Sequence, residues 1–184
     1  MNAQTKASLP SATDVNDIAT MKSIFSGQQQ AFAQCPYPEI SLRITQLKKL
    51  KQIIIAKQQD IISALSADFG HRSHDETRIA ELLTFVEGVK ATIKQLEQWA
   101  KPNKRKVSLL FMPASNQVVY QPLGGVGIMV PWNYPLFLSL GPLIGALSAG
   151  NRVMLKLSEF TPNFNECLKK ILAQVFDENQ VAVI

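Results

Sequence analysis

Hydrophobic positions recur with helical spacing through much of the first hundred residues. Residues 1–19 are polar and without periodicity, which predicts a loose tail, and a short helix is expected over residues 21–33 within a tail region of 1–40. Apolar residues three and four positions apart then predict a long amphipathic helix from Ser41 to Ala67. The predicted buried face of this helix comprises Ile44, Leu47, Leu50, Ile54, Ile61 and Leu65.

A second long helix follows and completes a helical pair over residues 41–106. Gly70 is placed to cap the first helix at its carboxyl end. Ser73 and Glu76 have the spacing of a capping box for the second helix, and Pro102 is expected to stop it. The predicted buried face of the second helix comprises Ile79, Leu82, Leu83, Val86, Ile93 and Leu96.

The pattern changes after Lys106, because residues 107–151 contain no Asp, Glu, Lys, Arg or His. Two β-prone runs, 107–112 and 117–121, flank Pro113-Ala114-Ser115-Asn116 and predict a hairpin arm over residues 107–122. The uncharged stretch raises the alternative of a membrane span. Prolines and glycines interrupt it, however, so a helix buried against a sheet is the preferred interpretation.

Short apolar runs alternate with a helical pattern over residues 123–184. Strands are predicted at 126–130, 152–156 and from 181. Helices are predicted at 135–149, with Gly150 as its cap, and from the N-cap Thr161 to Phe176. A strand–helix–strand–helix–strand order implies a parallel sheet with right-handed crossovers. The predicted class is therefore α/β: an incomplete Rossmann-like parallel sheet with flanking helices, preceded by the helical pair and the hairpin arm.

Composition excludes several kinds of partner. Hydrophobic residues make up 46% of the chain and charged residues 18%, which is enough apolar material for a core. The net charge of +5 is mild, and no aromatic residues interleave with the basic cluster at residues 101–106, so no nucleic-acid partner is predicted. The two cysteines and two histidines lack the spacing of a metal site, and no metal is predicted.

The first twenty residues contain no apolar run, which makes a cytoplasmic location the expectation.

Glycines at 125 and 127 resemble the start of a dinucleotide fingerprint, but Val130 stands where the third glycine belongs. These glycines also precede a predicted strand, whereas the fingerprint follows one. A tight turn is the better interpretation.

Two polar motifs follow two of the predicted strands. Asn133 lies in Pro131-Trp132-Asn133-Tyr134-Pro135, and Lys156 and Glu159 follow the next strand. Ligands of open α/β sheets collect at the carboxyl ends of strands. Asn133 is thus a donor for a ligand or an ordinary turn or cap residue, and Lys156 with Glu159 either binds sugar hydroxyls or forms a surface ion pair.

These motifs resemble the aldehyde dehydrogenase superfamily. The resemblance rests on residues 122–135 (PLGGVGIMVPWNYP), on Ala149-Gly150-Asn151 and on residues 156–162 (KLSEFTP), and it extends from about Ser41 to Ile184. The stretch 68–81, DFGHRSHDETRIAE, is most similar to the coniferyl-aldehyde dehydrogenase subgroup.

The resemblance implies an NAD(P)-dependent oxidation of aldehydes to carboxylic acids, with NAD as the expected coenzyme and NADP as the alternative. Asn133 matches the asparagine that stabilises the oxyanion formed when a cysteine thiolate attacks the aldehyde. Lys156 and Glu159 match residues that bind the adenosine ribose. Met129, Val130, Pro131 and Trp132 would line the coenzyme or substrate passage. The hairpin would serve a homo-oligomer.

The family's catalytic cysteine and glutamate belong to segments that would follow Ile184. Cys35 and Cys167 match neither position. This chain is therefore expected to represent the amino-terminal portion of such an enzyme and to be inactive alone, with a non-catalytic binding or assembly module as the alternative.

Overall fold

The computed structural model describes the backbone from Ala12 and the side chains from Asp17, both through to Ile184. Helix α1, Ala12–Gln34, is longer than predicted, since residues 12–20 belong to it. Residues 1–11 of the predicted tail lie outside the described part. A polar contact anchors α1: buried Gln28 donates from Nε2 to the carbonyls of Val153 and Glu178, both at 3.0 Å. Hydrophobic periodicity does not report an anchor of this kind.

The predicted first long helix is two helices, α2 (Ile40–Ala56) and α3 (Gln58–Asp68), which meet at Lys57. Hydrogen bonds from Lys57 N to Ile53 O and from Ile61 N to Lys57 O carry the helical path across the junction. The predicted face is confirmed, with Ile44 half-buried and the other five residues fully buried.

Gly70 ends α3 as predicted. Its φ of +60° places it in the left-handed region, and the N–H of His71 donates to Ser66 O at 2.8 Å. The capping box is wrong, because Ser73 precedes helix α4 (His74–Glu76) without a side-chain cap hydrogen bond. The Glu76 carboxylate instead accepts a hydrogen bond from Arg72, with 3.2 Å between Arg72 Nη2 and Glu76 Oε1.

A π-helical segment, Thr77–Leu83, joins α4 to helix α5, Thr84–Trp99. The wider turn rotates the buried face relative to ordinary helical spacing. Ile79 and Leu83, both predicted to be buried, are therefore 65% and 54% exposed. Leu82 and Leu96 are buried as predicted and Val86 and Ile93 are half-buried, while the other buried positions are Thr77, Glu81, Phe85 and Val89.

The parallel sheet is confirmed. Strands β3 (Gly125–Met129), β4 (Arg152–Lys156) and β5 (Val181–Val183) form it in that order. Helix α6 (Pro135–Ser148) follows β3, and helix α7 (Pro162–Leu172) follows β4 and ends before the predicted Phe176. Gly150 caps α6 as predicted, with a φ of +88°. Among the described helices, none has the length and apolarity needed to cross a bilayer.

The hairpin forms, but its first strand is not where the sequence predicts. Strands β1 (Asn103–Arg105) and β2 (Asn116–Val118) pair antiparallel, with Asn103 opposite Val118. The β1 strand thus uses the basic cluster, and the apolar run 107–112 contains a single 3₁₀ turn at Leu109–Phe111. Intrinsic strand preference is weak and depends on a partner surface, which this run lacks in the described part of the chain.

Candidate functional site

The two polar motifs lie side by side at the carboxyl edge of the sheet. Met129 and Lys156 are partners in the β3–β4 register, and Val130 N donates to Lys156 O at 3.0 Å. Because the strands are parallel, the connections that follow them leave from the same edge. The connection carrying Asn133 therefore emerges beside the one carrying Glu159.

The connection from β3 to α6 is open to solvent. Met129 is 85% exposed, and Pro131, Trp132 and Asn133 are exposed as well, whereas the Val130 side chain is buried in the core. Asn133 stands two residues before the start of α6 at Pro135. In the described part of the chain its side-chain amide makes no hydrogen bond. A ligand at this edge can therefore be offered both amide N–H groups.

Lys156 and Glu159 form an exposed ion pair, with 2.8 Å between Lys156 Nζ and Glu159 Oε2. The hydrogen bond from Lys156 lowers the pKa of Glu159, so the carboxylate stays ionised at neutral pH. Buried Ser158 lies between them, and its carbonyl accepts from the Asn165 side chain at 2.7 Å. Helix α7 thus holds the connection while its two charges face solvent.

Arg72 holds the Asn133 connection from the helical layer, and the sequence reasoning missed it. Its Nη1 donates to Asn133 O at 3.1 Å, although the side chain is only 5% exposed. The guanidinium lies over the ring of Phe69 at 4.9 Å and over that of Tyr134 at 4.7 Å. The Trp132 ring lies 6.2 Å from that of Phe69. Stacking and hydrogen bonding together fix the course of this connection.

Glu81, also missed, is fully buried beneath the same connection. Its Oε2 accepts from Leu136 N at 2.8 Å and from Phe137 N at 3.1 Å. These two N–H groups lie in the first turn of α6, where the helix itself provides no acceptor. Glu81 Oε1 lies 3.4 Å from Arg72 Nη1. Burial raises the pKa of Glu81, while the Phe137 N–H and the Arg72 charge oppose the rise.

Asp68 plays the corresponding part for α7. Its carboxylate accepts from Asn163 N at 3.0 Å and from Phe164 N at 2.8 Å. Thr161, the predicted N-cap, makes no side-chain cap hydrogen bond, and its hydroxyl contacts Ser158 O instead. The predicted helix start at Thr161-Pro162 is therefore confirmed, but the Asp68 carboxylate, rather than the Thr161 hydroxyl, caps the free N–H groups of the first turn.

A signal for these three residues existed in the sequence. Asp68, Arg72 and Glu81 all lie in the stretch 68–81 that supports the resemblance to the coniferyl-aldehyde dehydrogenase subgroup. Periodicity alone does not pair them with α6 and α7, since their partners lie 55 to 96 residues away.

Comparison with known proteins identifies the family. A family model described as "Aldehyde dehydrogenase family" matches residues 3–184. The chain belongs to the aldehyde dehydrogenase family.

This aldehyde dehydrogenase chain is 49% identical over 168 residues to a "Probable coniferyl aldehyde dehydrogenase" of Pseudomonas aeruginosa, covering 91% of the chain and 35% of that protein. It is 36% identical to the "Coniferyl aldehyde dehydrogenase" of a Pseudomonas species, covering 79% of the chain and 30% of that protein. The substrate-bound structure of Staphylococcus aureus AldH superposes with a TM-score of 0.85 and 33% identity, covering 89% of the chain and 36% of that protein. The chain thus spans about a third of the length of these relatives.

The two cysteines of the aldehyde dehydrogenase chain lie away from Asn133. Cys35 is exposed and borders a small cavity with Gly150 and Arg152, at the amino end of β4. Cys167 is half-buried in α7 where that helix packs on α3, and burial raises the pKa of its thiol. A raised pKa disfavours the nucleophilic thiolate, which agrees with a structural thiol at Cys167.

A larger cavity, of about 1010 Å³, lies on the other side of α6 from the sheet. Helices α5 and α6 form its walls and the hairpin one end. Phe137 lines it and, through its main-chain N–H, also contacts Glu81. The cavity therefore begins next to the connection that carries Asn133.

Proposed function

We propose that this chain is the amino-terminal part of an NAD(P)-dependent aldehyde dehydrogenase that oxidises aldehydes, coniferyl aldehyde among them, to carboxylic acids. One observation carries the proposal: Asn133, whose amide has no hydrogen-bond partner in the described part of the chain, lies in the connection after β3, beside the β4 connection that carries the Lys156–Glu159 pair. Family membership and the names of the relatives support it. The cytoplasmic location, the homo-oligomer and the absence of a nucleic-acid partner stay predictions.

In this proposal Asn133 donates its amide N–H to the alkoxide that develops when a thiolate attacks the aldehyde carbonyl. A donor placed in advance is effective because it needs no reorganisation as charge develops. The attacking thiolate and the base that activates water would come from outside these 184 residues. Cys35 lies at the amino end of β4, opposite the edge that carries Asn133, and Cys167 is half-buried in α7, which packs on α3, so neither is assigned as the source of the thiolate.

The residues at the edge suit a nicotinamide coenzyme. Vicinal ribose hydroxyls both donate and accept hydrogen bonds, and the exposed Glu159 carboxylate and Lys156 ammonium supply one partner of each kind. Met129, Pro131 and Trp132 would line the passage with exposed side chains, while Val130 would contribute its main chain, since its side chain is buried. The coenzyme, when bound, supplies the hydride acceptor.

The cavity beside α6 is the proposed place for the organic part of the aldehyde. Its volume is at the upper end of the usual range for small-molecule sites, and Phe137, Phe85 and Tyr120 give it aromatic walls. An aromatic aldehyde such as coniferyl aldehyde is thus preferred over a short aliphatic one. The ratio of kcat/KM for the two aldehydes tests this preference.

Replacement of Asn133 tests the central assignment. In the full-length enzyme we expect Asn133→Ala to lower kcat by about 10²- to 10³-fold, the usual loss for one oxyanion donor. Asn133→Asp keeps the shape, removes the donors and adds a repulsive charge, so its loss should be at least as large. Steady-state kinetics and coenzyme binding by fluorescence measure both effects. A collapse of coenzyme affinity with kcat intact would make Asn133 a structural turn residue.

A non-catalytic assembly module is the second candidate. The observation in its favour is a set of large exposed apolar side chains in and beside the hairpin: Leu109, Leu110, Phe111, Met112, Val118, Val119, Tyr120 and Leu123. Such a surface suits pairing with another sheet. A full-length protein that assembles through the hairpin but shows no aldehyde-dependent NADH formation would favour this candidate.

A further inference from the structure

The geometry points to Arg72 and Glu81 as positioning residues that hold Asn133 in its working orientation, an inference that rests on the proposed function of Asn133. Arg72 donates a hydrogen bond to the main-chain carbonyl of Asn133, and Glu81 accepts hydrogen bonds from the main-chain N–H groups of Leu136 and Phe137. The two side chains pair with each other at 3.4 Å beneath the connection. The segment 133–137 is thus held at both ends from one buried ion pair.

Arg72 contacts the main chain of Asn133 next to Cα, the atom that carries the side chain. The carbonyl that accepts from Nη1 is joined directly to Asn133 Cα, so fixing the carbonyl limits rotation about the Cα–C bond. The guanidinium has little freedom itself, since it lies over the Phe69 and Tyr134 rings. The rigid, planar guanidinium therefore sets the direction in which the Asn133 side chain points away from the main chain.

The Glu81 contact fixes the helix that follows. A carboxylate that accepts two N–H groups at a helix amino terminus anchors the first turn and complements the helix dipole. A fully buried carboxylate needs a paired charge, and Arg72 supplies it. Arg72 and Glu81 consequently depend on each other, and both contact the same short segment.

Stability alone is a poor explanation for this pair. Within the described part of the chain, Arg72 Nε and Glu81 Oε1 are buried without a hydrogen-bond partner. Unpaired buried polar atoms cost free energy, and apolar residues of similar volume often replace buried ion pairs without loss. Retaining the pair is understandable where orientation matters, because a displacement of about 1 Å in a catalytic group can cost about 10²-fold in rate.

The chain offers a matched control. Arg78 lies in the same stretch and pairs with Asp75 at 2.8 Å, but that pair is exposed and contacts no part of the Asn133 connection. Arg78→Leu removes the same charge and the same number of donors as Arg72→Leu. It should leave both the kinetics and the connection unchanged.

The kinetic test is a double-mutant cycle in the full-length enzyme. Arg72→Leu should lower kcat by about 10- to 100-fold, while the KM for the coenzyme changes less than about 2-fold. In an Asn133→Ala background the same change should cost less than about 2-fold, because Arg72 acts through Asn133. Arg72→Lys keeps the charge but not the planar stacking, and should retain an intermediate kcat. It decides the question by the same readouts if Arg72→Leu does not fold.

A second readout separates this inference from the proposed function. Residues 1–184 contain two tryptophans, so in the full-length enzyme Trp99→Phe, together with replacement by Phe of any tryptophan outside these residues, leaves Trp132 as the reporter of the connection. At low micromolar concentration, Arg72→Leu should increase the fast component of the Trp132 anisotropy decay, and Arg78→Leu should not. If the decay responds to Arg72 while Asn133→Ala leaves kcat intact, the positioning stands and the oxyanion role fails. An unchanged decay, or an equal kcat loss with and without the Asn133 amide, overturns the positioning role.

Discussion

Carboxylates show how residue environment assigns different work to similar side chains in this chain. Asp68 and Glu81 each accept main-chain N–H groups at a helix amino terminus, and Glu81 does so while fully buried. Glu159 is exposed and pairs with Lys156, which lowers its pKa. Burial and the available donors, rather than residue type, therefore separate a carboxylate that anchors a helix from one that is open to solvent.

Glu159 yields a prediction about coenzyme choice. Its carboxylate suits the free ribose hydroxyls of NAD and repels the 2′-phosphate of NADP, so we expect the full-length enzyme to prefer NAD. Glu159→Gln keeps the size and removes the charge. It should lower the NAD/NADP ratio of kcat/KM by roughly 2- to 5-fold, a modest change because the charge is exposed to solvent.

Steady-state kinetics with both coenzymes measure this ratio. Glu166→Gln removes a carboxylate from an exposed position on α7 and serves as the control. A wild-type preference for NADP would show that Glu159 does not discriminate between the coenzymes. A ratio that moves equally in the control would show the same.

At the scale of elements, carboxylates of the helical layer anchor the helices of the sheet layer. The amino termini of α6 and α7 each lie against a carboxylate, Glu81 for α6 and Asp68 for α7. Those amino termini immediately follow the connections that carry Asn133 and Glu159. The layers are therefore joined at the edge where the candidate site lies.

Removal of the Asp68 anchor should destabilise the fold. Asp68→Ala leaves Asn163 N and Phe164 N without their acceptor, and loss of such a cap costs about 1 kcal/mol of the free energy of unfolding. Asp75→Ala, which removes one exposed partner of Arg78, should cost less than about 0.5 kcal/mol. Denaturant unfolding followed by circular dichroism compares the two variants. Equal losses would contradict the anchoring role.

At the scale of the whole molecule, the described residues form a core with unpartnered apolar margins. The sheet has β3 and β5 as its two edge strands, and the 109–112 segment of the hairpin is largely exposed. Exposed apolar segments and free strand edges pair with other chains. This margin is consistent with the proposed role of the hairpin in a homo-oligomer.

A polypeptide limited to these 184 residues should therefore self-associate. Sizing chromatography over a range of concentrations measures this, and Leu110→Lys should shift the protein toward the monomer. Ile79→Lys changes an exposed apolar residue outside the hairpin and should have no such effect.

We also expect this polypeptide to form no NADH from aldehydes, since neither Cys35 nor Cys167 matches the family's catalytic cysteine. A monomer at high concentration would contradict the first expectation, and turnover that persists without both cysteines would contradict the second.

The sequence by itself determined the features that depend on neighbours along the chain. Helical spacing identified the buried face of α2 and α3, and Gly70 and Gly150 identified where helices end. Alternating apolar runs predicted the parallel sheet and placed both polar motifs at one edge. These features follow from local propensity and periodicity, which depend only on residues close together in the sequence.

The tertiary structure alone decided the features that join distant segments. The π-helical turn moved Ile79 and Leu83 to the surface, and β1 formed from basic residues because β2 was there to pair with them. Arg72 reaches Asn133 across 61 residues, and Asp68 reaches Asn163 across 95. Such contacts depend on which donors and acceptors the packed layers bring within hydrogen-bond distance. Periodicity carries no information about that distance, so the support of the candidate site became visible only in the folded chain.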